Sequence, residues 1–160
     1  MQVHIKKMEK RWAIFDSDNT IADIGYRLQQ STINGKLDYK KLHDPSLIKI
    51  DEPMHKTIDL MNDLASFNVS IFILTARFES TRQVTEKWLH VNNVPYDKLV
   101  MKPYEDTYMK SDVWKEKELH KFNNFNNIIL SCDDYHKNQF MFESYDIPCL
   151  DPWEGELNTN

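Results

Sequence analysis

The sequence predicts an α/β fold: a central, mostly parallel sheet with helices on both faces and a small cap inserted after the first strand. Three observations predict it. Four short apolar runs, WAIF (12–15), VSIFIL (69–74), KLVM (98–101) and NIILSC (127–132), are rich in β-branched or aromatic residues and too short for ordinary helices, so each reads as a buried strand. Segments of helical periodicity lie between them, and strands alternating with helices imply a parallel sheet. One stretch, 22–52, is polar and irregular, and it falls between the first strand and the first helical pattern.

Taken in order, WAIF opens the sheet and runs straight into a group of carboxylate, hydroxyl and amide side chains, DSDNT (16–20). Within 22–52, Asn34-Gly35 suits a tight hairpin turn. In PMHKTIDLMNDLASF, Met54, Ile58, Met61 and Leu64 recur on one helical face, with Pro53 placed for the first turn. VSIFIL is the second main strand. STRQVTEKWLHVNN follows as a helix, with Ser80 as its N-cap and Val84, Trp88 and Val91 on one face. KLVM is the third main strand, SDVWKEKELHKF a weaker helix, NIILSC the fourth strand and HKNQFMFESY another helix. IPCL (147–150) is a fifth, weaker strand. Trp88 and Trp114 fit helix faces better than base-stacking platforms.

A chain of 160 residues suits a single domain over 1–160, with 22–52 as its cap or flap. A domain of this size buries roughly 70% of the surface of its unfolded chain, enough for a core without disulfides. With 3 Gly, glycine-rich phosphate loops are excluded, and with them a nucleotide kinase site. No apolar run approaches the ~20 residues that cross a bilayer, and MQVHIKKMEK has no apolar leader stretch. The 2 cysteines, Cys132 and Cys149, make no disulfide framework, so a reduced, cytoplasmic protein is expected. A net charge of -5 argues against an extended basic surface for duplex DNA; a nucleotide or a nucleic-acid end fits better. The 6 histidines show no metal spacing, and Cys132 reads as a small buried hydrophobe.

The chemistry gathers where strands end. Asp16 and Asp18 follow the first, Thr75 and Arg77 the second, Lys102 and then Lys110 the third, and Asp133 and Asp134 the fourth. Parallel strands place their C-termini on one edge, where open α/β sheets bind ligands. Four carboxylates in one crevice stay ionised only with positive charge among them. An oxygen-only donor set suits magnesium, which takes one or two carboxylates, waters and a substrate phosphate. Arg77 and a lysine are then expected on the remaining phosphate oxygens. Asp16 is placed to attack phosphorus and form an aspartyl-phosphate. Asp18 is placed to protonate the leaving oxygen and later to deprotonate water.

These residues resemble the haloacid dehalogenase-like (HAD) phosphatases. DSDNT (16–20) is similar to their DxDGT motif, with Asn19 at the usual glycine; Asn tolerates the positive φ such a position needs. LTAR (74–77) resembles the second motif, which supplies a phosphate-binding hydroxyl, here Thr75. Lys110, in DTYMKSDVWKEKE, resembles the third-motif lysine, with Lys102 its rival. CDD (132–134) resembles the acidic fourth motif. The resemblance spans about 12–153 and implies a Rossmann-like HAD fold. It is nearest to the 3'-phosphatase domain of phage-type polynucleotide kinase-phosphatase and its stand-alone relatives, on Thr75-Ala76-Arg77, WLHVNNVPYD and the DT…K…K segment.

The resemblance implies a magnesium-dependent phosphomonoesterase with Asp16, Asp18, Thr75 and Lys110 catalytic. Thr75, Ala76, Arg77 and Lys110 would bind substrate. Asp16, the Asp18 carbonyl and Asp133 would hold the metal, with Asp134 either a direct ligand or behind one. A 3'-phosphorylated nucleotide or nucleic-acid end is the expected substrate, and the host cytoplasm the location if a phage encodes the protein. Two alternatives stand beside it: a 5'-nucleotidase using the same chemistry, and a non-catalytic binding module on the same fold. Tyr26 and Arg27, in the cap, either touch substrate or pack the cap onto the core.

Overall fold

Apolar strands alternating with amphipathic helices fold into a three-layer arrangement in the computed structural model, which describes residues 9–154. Residues 1–8 and 155–160, over which the single-domain and N-terminal readings extend, lie outside the described residues. The elements in chain order are β1 (Trp12–Phe15), β2 (Ala22–Asp23), α1 (Gly25–Ser31), β3 (Thr32–Ile33), β4 (Lys36–Leu37), α2 (Tyr39–Leu42), α3 (Pro45–Ile48) and β5 (Glu52–Pro53). They continue with α4 (His55–Ser66), β6 (Ser70–Phe78), α5 (Arg82–Val91), β7 (Lys98–Lys102), α6 (Ser111–Leu119), β8 (Ile128–Cys132), α7 (His136–Glu143) and β9 (Cys149–Leu150).

The main sheet has the order β7-β6-β1-β8-β9, and all its pairs are parallel. Successive side chains of a strand point to opposite faces, and both faces are covered. Ala13, Phe15, Ile71 and Ile73 pack with Ile58 and Met61 of α4 and Trp88 and Leu89 of α5. Ile14, Phe72 and Leu74 pack with Trp114 and Leu119 of α6 and Met141 and Phe142 of α7. A continuous apolar run, without alternation, is the signature of a strand buried on both sides. Trp88 and Trp114 are both core residues, as their helical spacing implied.

Between β1 and β6 the chain leaves the sheet and returns. β2 and β5 pair antiparallel at the base of this excursion. Asn34 and Gly35 both have positive φ, at 51° and 74°, and close the β3–β4 hairpin. Asp38 caps α2 by accepting from the Lys40 and Lys41 amides, and Asp44 caps α3, with Pro45 in its first turn.

Two helix starts differ from expectation. Pro53 lies in β5, paired with Ala22, and α4 begins at His55. A proline is tolerated at the end of a two-residue edge strand because no ladder bond is lost. Ser80 lies in a 3-10 turn, Glu79–Thr81, that precedes α5. The buried face of α5 is Thr85, Trp88 and Leu89, and Val91 is exposed.

Candidate active site

The sheet ladder itself brings the first two acidic segments together. Beyond Phe15, the Asp16 amide donates to the Cys132 carbonyl at 2.9 Å, so β1 and β8 stay paired to their last residues. Asp16 and Asp133 therefore emerge side by side. The loop that follows β1 turns tightly: the Ser17 carbonyl accepts from the amides of Thr20, Ile21 and Ala22. Asn19 takes φ 57° at the crest of this turn. Its side-chain oxygen accepts from the Ile24 amide and its carbonyl from the Trp153 indole at 2.8 Å.

On the other side, the β6–β7 register shifts between Thr75 and Phe78, so Ala76 and Arg77 have no partner on β7. A bulge at a strand end re-aims the chain next to a site. Thr75 is buried, and its hydroxyl accepts from the Arg77 amide at 3.2 Å.

The strand ends line a crevice of about 680 Å³, whose wall includes Asp16, Asp18, Thr75, Ala76, Arg77, Lys102, Lys110 and Asp134. Carboxylate oxygens of Asp16, Asp133 and Asp134 lie within 4.8 Å of one another. Asp133 is fully buried behind the other two and also accepts from the Asn138 amide and the Tyr135 backbone.

The lysine that meets this cluster is Lys115, which the sequence reading left unassigned. Its ammonium lies 2.8 Å from Asp16 Oδ1 and 2.6 Å from Asp133 Oδ2. Lys115 is 1% exposed, on the same helix face as Trp114 and Leu119. Lys110, expected in this role, stands exposed at the N-cap of α6 and lines the crevice without touching either carboxylate. Lys102 also lines the crevice, and its ammonium donates to the Met109 carbonyl. The available signal was position: Lys115 shares a helical stripe with Trp114, Glu118 and Leu119, and a lysine on a buried stripe needs an anionic partner.

Burial pushes the Asp16 carboxyl up to about 8; crowding by Asp133 and Asp134 adds to it, and Lys115 opposes it. Burial, then Asp133, pushes Asp134 up to about 6. Burial alone would lower the Lys115 ammonium, but Asp133 and Asp16 outweigh it and hold it above its usual range. Ionising all three carboxylates beside one ammonium would leave two uncompensated negative charges, which is why the cluster holds on to protons. An all-oxygen cluster with that excess fits a hard divalent cation.

A second charged cluster lies beside the first and is balanced. Asp18 Oδ1 accepts from Arg77 Nε at 2.6 Å and from Arg27 Nη2 at 2.7 Å. Asp51 Oδ2 accepts from both guanidiniums at 2.9 Å. Arg27 also donates to the Leu42 carbonyl, and Arg77 to Thr85. The Arg77 guanidinium, expected on phosphate oxygens, is thus occupied by carboxylates and is 1% exposed. Arg27 is fully buried and locks the segment between β2 and β5 onto the core; Tyr26 is exposed and lines a different depression. Burial would raise the Asp18 carboxyl, but Arg77 and Arg27 outweigh it and hold it below the usual carboxylate range. Asp51, like Lys115, was not assigned a role in the site from sequence, and of the two roles read for Arg27 the buried contacts to Asp18, Asp51 and Leu42 match packing.

Among the described residues, no helix is long and apolar enough to cross a membrane. The family model for the HAD superfamily, subfamily IIIB (acid phosphatase), matches residues 1–140. No curated protein sequence matches the chain. Among solved structures, a chain of a Pnkp1/Rnl/Hen1 complex superposes with a TM-score of 0.69 at 19% identity, over 91% of this chain and 46% of that one. The chain thus spans less than half the length of that relative. A class C acid phosphatase from Bacillus anthracis, solved with tungstate bound, gives a TM-score of 0.60 at 19% identity over 95% of this chain and 73% of that one. A haloacid dehalogenase-like hydrolase from Streptococcus pneumoniae gives 0.61 at 15% identity, over 89% and 84%. At these identities the likeness speaks to the fold, a parallel sheet of five strands flanked by helices.

Proposed function

The chain belongs to the HAD superfamily, subfamily IIIB (acid phosphatase), and from that premise we propose that it is a magnesium-dependent phosphomonoesterase that works through an aspartyl-phosphate on Asp16. The observation that carries this reading is Asp16 held between a buried ammonium, Lys115, and two further carboxylates at the ligand edge of the sheet. We take 22–52 as the cap of that site.

Asp16 attacks phosphorus: its oxygen forms the new O–P bond while the bond to the leaving oxygen breaks. Asp18 gives that oxygen a proton. A phosphate dianion entering the crevice raises the proton affinity of Asp18, which its two guanidiniums otherwise hold low. Asp18 then takes a proton from water, which cleaves the aspartyl-phosphate and frees inorganic phosphate. Arg27 and Arg77 fix the Asp18 carboxylate in position for both transfers. Lys115 orients Asp16. The Thr75 hydroxyl, the Ala76–Arg77 bulge, Lys110 and Lys102 face the phosphoryl oxygens from the crevice wall. Asp16, Asp133, Asp134 and the Asp18 carbonyl would hold magnesium, which when bound supplies positive charge that keeps the carboxylates ionised and offsets the phosphoryl oxygens. An acid phosphatase of the same fold was solved with tungstate, a tetrahedral oxyanion, bound, which supports a phosphate-like ligand for the proposed enzyme.

The proposed substrate is a 3'-phosphorylated nucleotide or nucleic-acid end. The motif resemblance and the fold shared with a Pnkp1/Rnl/Hen1 complex support it. So does a net charge of -5, which disfavours gripping many backbone phosphates. The free thiols of Cys132 and Cys149 support a reducing, cytoplasmic setting.

Turnover of a phosphate ester with magnesium by the wild type and by Asp16→Asn tests the chemistry; substantial turnover in the variant removes Asp16 as nucleophile. The ratio of kcat/KM on matched 3'- and 5'-phosphorylated substrates tests the substrate. A clear preference for the 5'-phosphate would make the protein a 5'-nucleotidase and leave the catalytic residues standing.

A further inference from the structure

The crevice has a rim that the phosphoryl chemistry does not use. Tyr39, Tyr108 and Tyr135 line it and are 62%, 83% and 46% exposed. They come from three separate elements: the start of α2, the segment after β7, and the N-cap of α7. Large rings left in water at the mouth of a polar site cost apolar exposure, and a cluster of them marks a contact surface.

One wall of this rim is pre-organised. The His43 ring lies flat on Phe78, with centroids 3.8 Å apart and planes 1° apart. His43 Nδ1 meets the Tyr39 carbonyl at 2.8 Å. The end of β6 thus supports α2, and α2 carries Tyr39. Burial lowers the His43 imidazolium, so the stacked ring is neutral near pH 7.

We propose that this tyrosine rim stacks the unpaired terminal base of a single-stranded nucleic-acid end while the terminal phosphate enters the acidic floor. The proposal rests on the phosphomonoesterase reading of the floor and names what recognises the rest of the substrate. Base–aromatic stacking is tolerant of sequence, because every base presents a π-face. A volume of about 680 Å³ lies within the ~300–1,000 Å³ of small-ligand sites and accommodates one nucleotide better than a base pair. A paired terminal base must leave its partner to stack on the rim. Stacking also supplies affinity to an acidic protein without many lysine–phosphate contacts.

The test compares three substrates carrying the same terminal phosphate: a single-stranded oligonucleotide, the same strand with an abasic last residue, and the first strand annealed to its complement. The wild type is expected to favour the base-bearing single strand over each of the others by about tenfold in kcat/KM. Tyr108→Ala and Tyr39→Ala are expected to shrink the base-to-abasic ratio severalfold, and Tyr108→Phe to preserve it, since stacking needs the ring and not the hydroxyl. A wild-type ratio near one, or alanine variants that keep the wild-type ratio, would overturn the rim. Should no phosphate ester be turned over, the reading of the floor fails separately. The rim is then tested by fluorescence anisotropy of the same oligonucleotides on Asp16→Asn. Base-dependent binding that Tyr108→Ala weakens supports it, and equal binding of abasic and base-bearing ends overturns it.

Discussion

The Nε of Arg77 lies 2.6 Å from Oδ1 of Asp18, across 59 residues of sequence. The same oxygen also accepts from Arg27, so one carboxylate is clamped from β6 and from α1 together. Arg77→Met leaves Asp18 and Asp51 with one guanidinium between them in a buried setting. Breaking a buried pair in this way costs about 3–5 kcal/mol, read as a fall in the urea midpoint. Arg77→Lys is also expected to fail, because an ammonium cannot span two carboxylates as a planar fork does. With less positive charge beside it, the Asp18 carboxyl rises, so the alkaline limb of the kcat/KM profile, set by the protonated Asp18 that donates to the leaving oxygen, moves to higher pH in any variant that still folds. An unmoved limb would separate Arg77 from Asp18 in catalysis.

Lys115 and Lys110 are expected to separate by kinetic signature. Lys115 touches Asp16 and Asp133 and is buried, so Lys115→Met removes charge compensation from the reacting carboxylate. A loss of about 10²–10³ in kcat is expected, the size typical of removing one preorganised electrostatic group. Lys110 is exposed on the wall, and Lys110→Met is expected to act mainly through KM, by less than about tenfold, as for a solvated phosphate contact. Steady-state kinetics on one phosphate ester decides it. Equal kcat losses would restore Lys110 to the role first read from the motif.

Much of this arrangement was legible in the sequence, because short two-face-buried strands and parallel topology dictate that strand ends meet. Asp16, Thr75, Lys102 and Asp134 line one crevice on that account. The charge partners were harder to read. DTYMKSDVWKEKE offers Lys110, Lys115 and Lys117; Lys115 shares the buried stripe of Trp114, Glu118 and Leu119, a signal outweighed by the match of Lys110 to the third motif. Arg77 follows the second strand as a phosphate ligand would, yet its partners Asp18 and Asp51 lie 59 and 26 residues away. Distances of that kind are set by packing of the 22–53 segment, which has no strong periodicity to read. Pro53 misled for a local reason: it suits a first helical turn and a strand edge equally.

The acidic cluster makes metal-free stability fall with pH. The folded-state pKa of Asp134 is raised from 3.8 to about 6. A carboxyl raised in the folded state contributes stability that is fully present below its ordinary pKa and lost as pH climbs through the raised one. Asp134→Asn removes that loss. The Tm of the variant minus that of the wild type, without metal, is therefore flat below about pH 4, grows between pH 4 and 6, and levels above. Asp16, raised to about 8, extends the wild type's decline further. Magnesium is expected to raise Tm more at pH 8 than at pH 5, and less in the variant. A Tm difference that shrinks with pH would contradict a carboxyl raised by burial and by Asp133.

Asn19 tests whether the catalytic turn depends on backbone conformation or on side-chain chemistry. Its φ of 57° lies in the left-handed region, where a Cβ is penalised and Asn is among the few residues tolerated. With 3 Gly in the chain, asparagine fills this conformation repeatedly, at Asn34, Asn68 and Asn93 as well. Asn19→Gly keeps the conformation and loses one contact, the 3.3 Å bond from the Ile24 amide. That variant is expected to stay within about 1 kcal/mol of the wild type, the worth of one ordinary hydrogen bond, and to retain most of its turnover. Asn19→Val places a β-branched side chain at the same φ, a strain on the order of 1–3 kcal/mol. The turn has a way to relieve it: Asn19 moves out of the left-handed region, breaking its amide bond to the Ala22 carbonyl and its carbonyl bond from Trp153. Asp18, one residue earlier, then swings away from Arg27 and Arg77. The valine variant is thus expected to lose both stability and kcat, and the glycine variant neither to a comparable degree. Equal kinetics for the two would show that the side chain at this position, and not the turn it permits, governs Asp18.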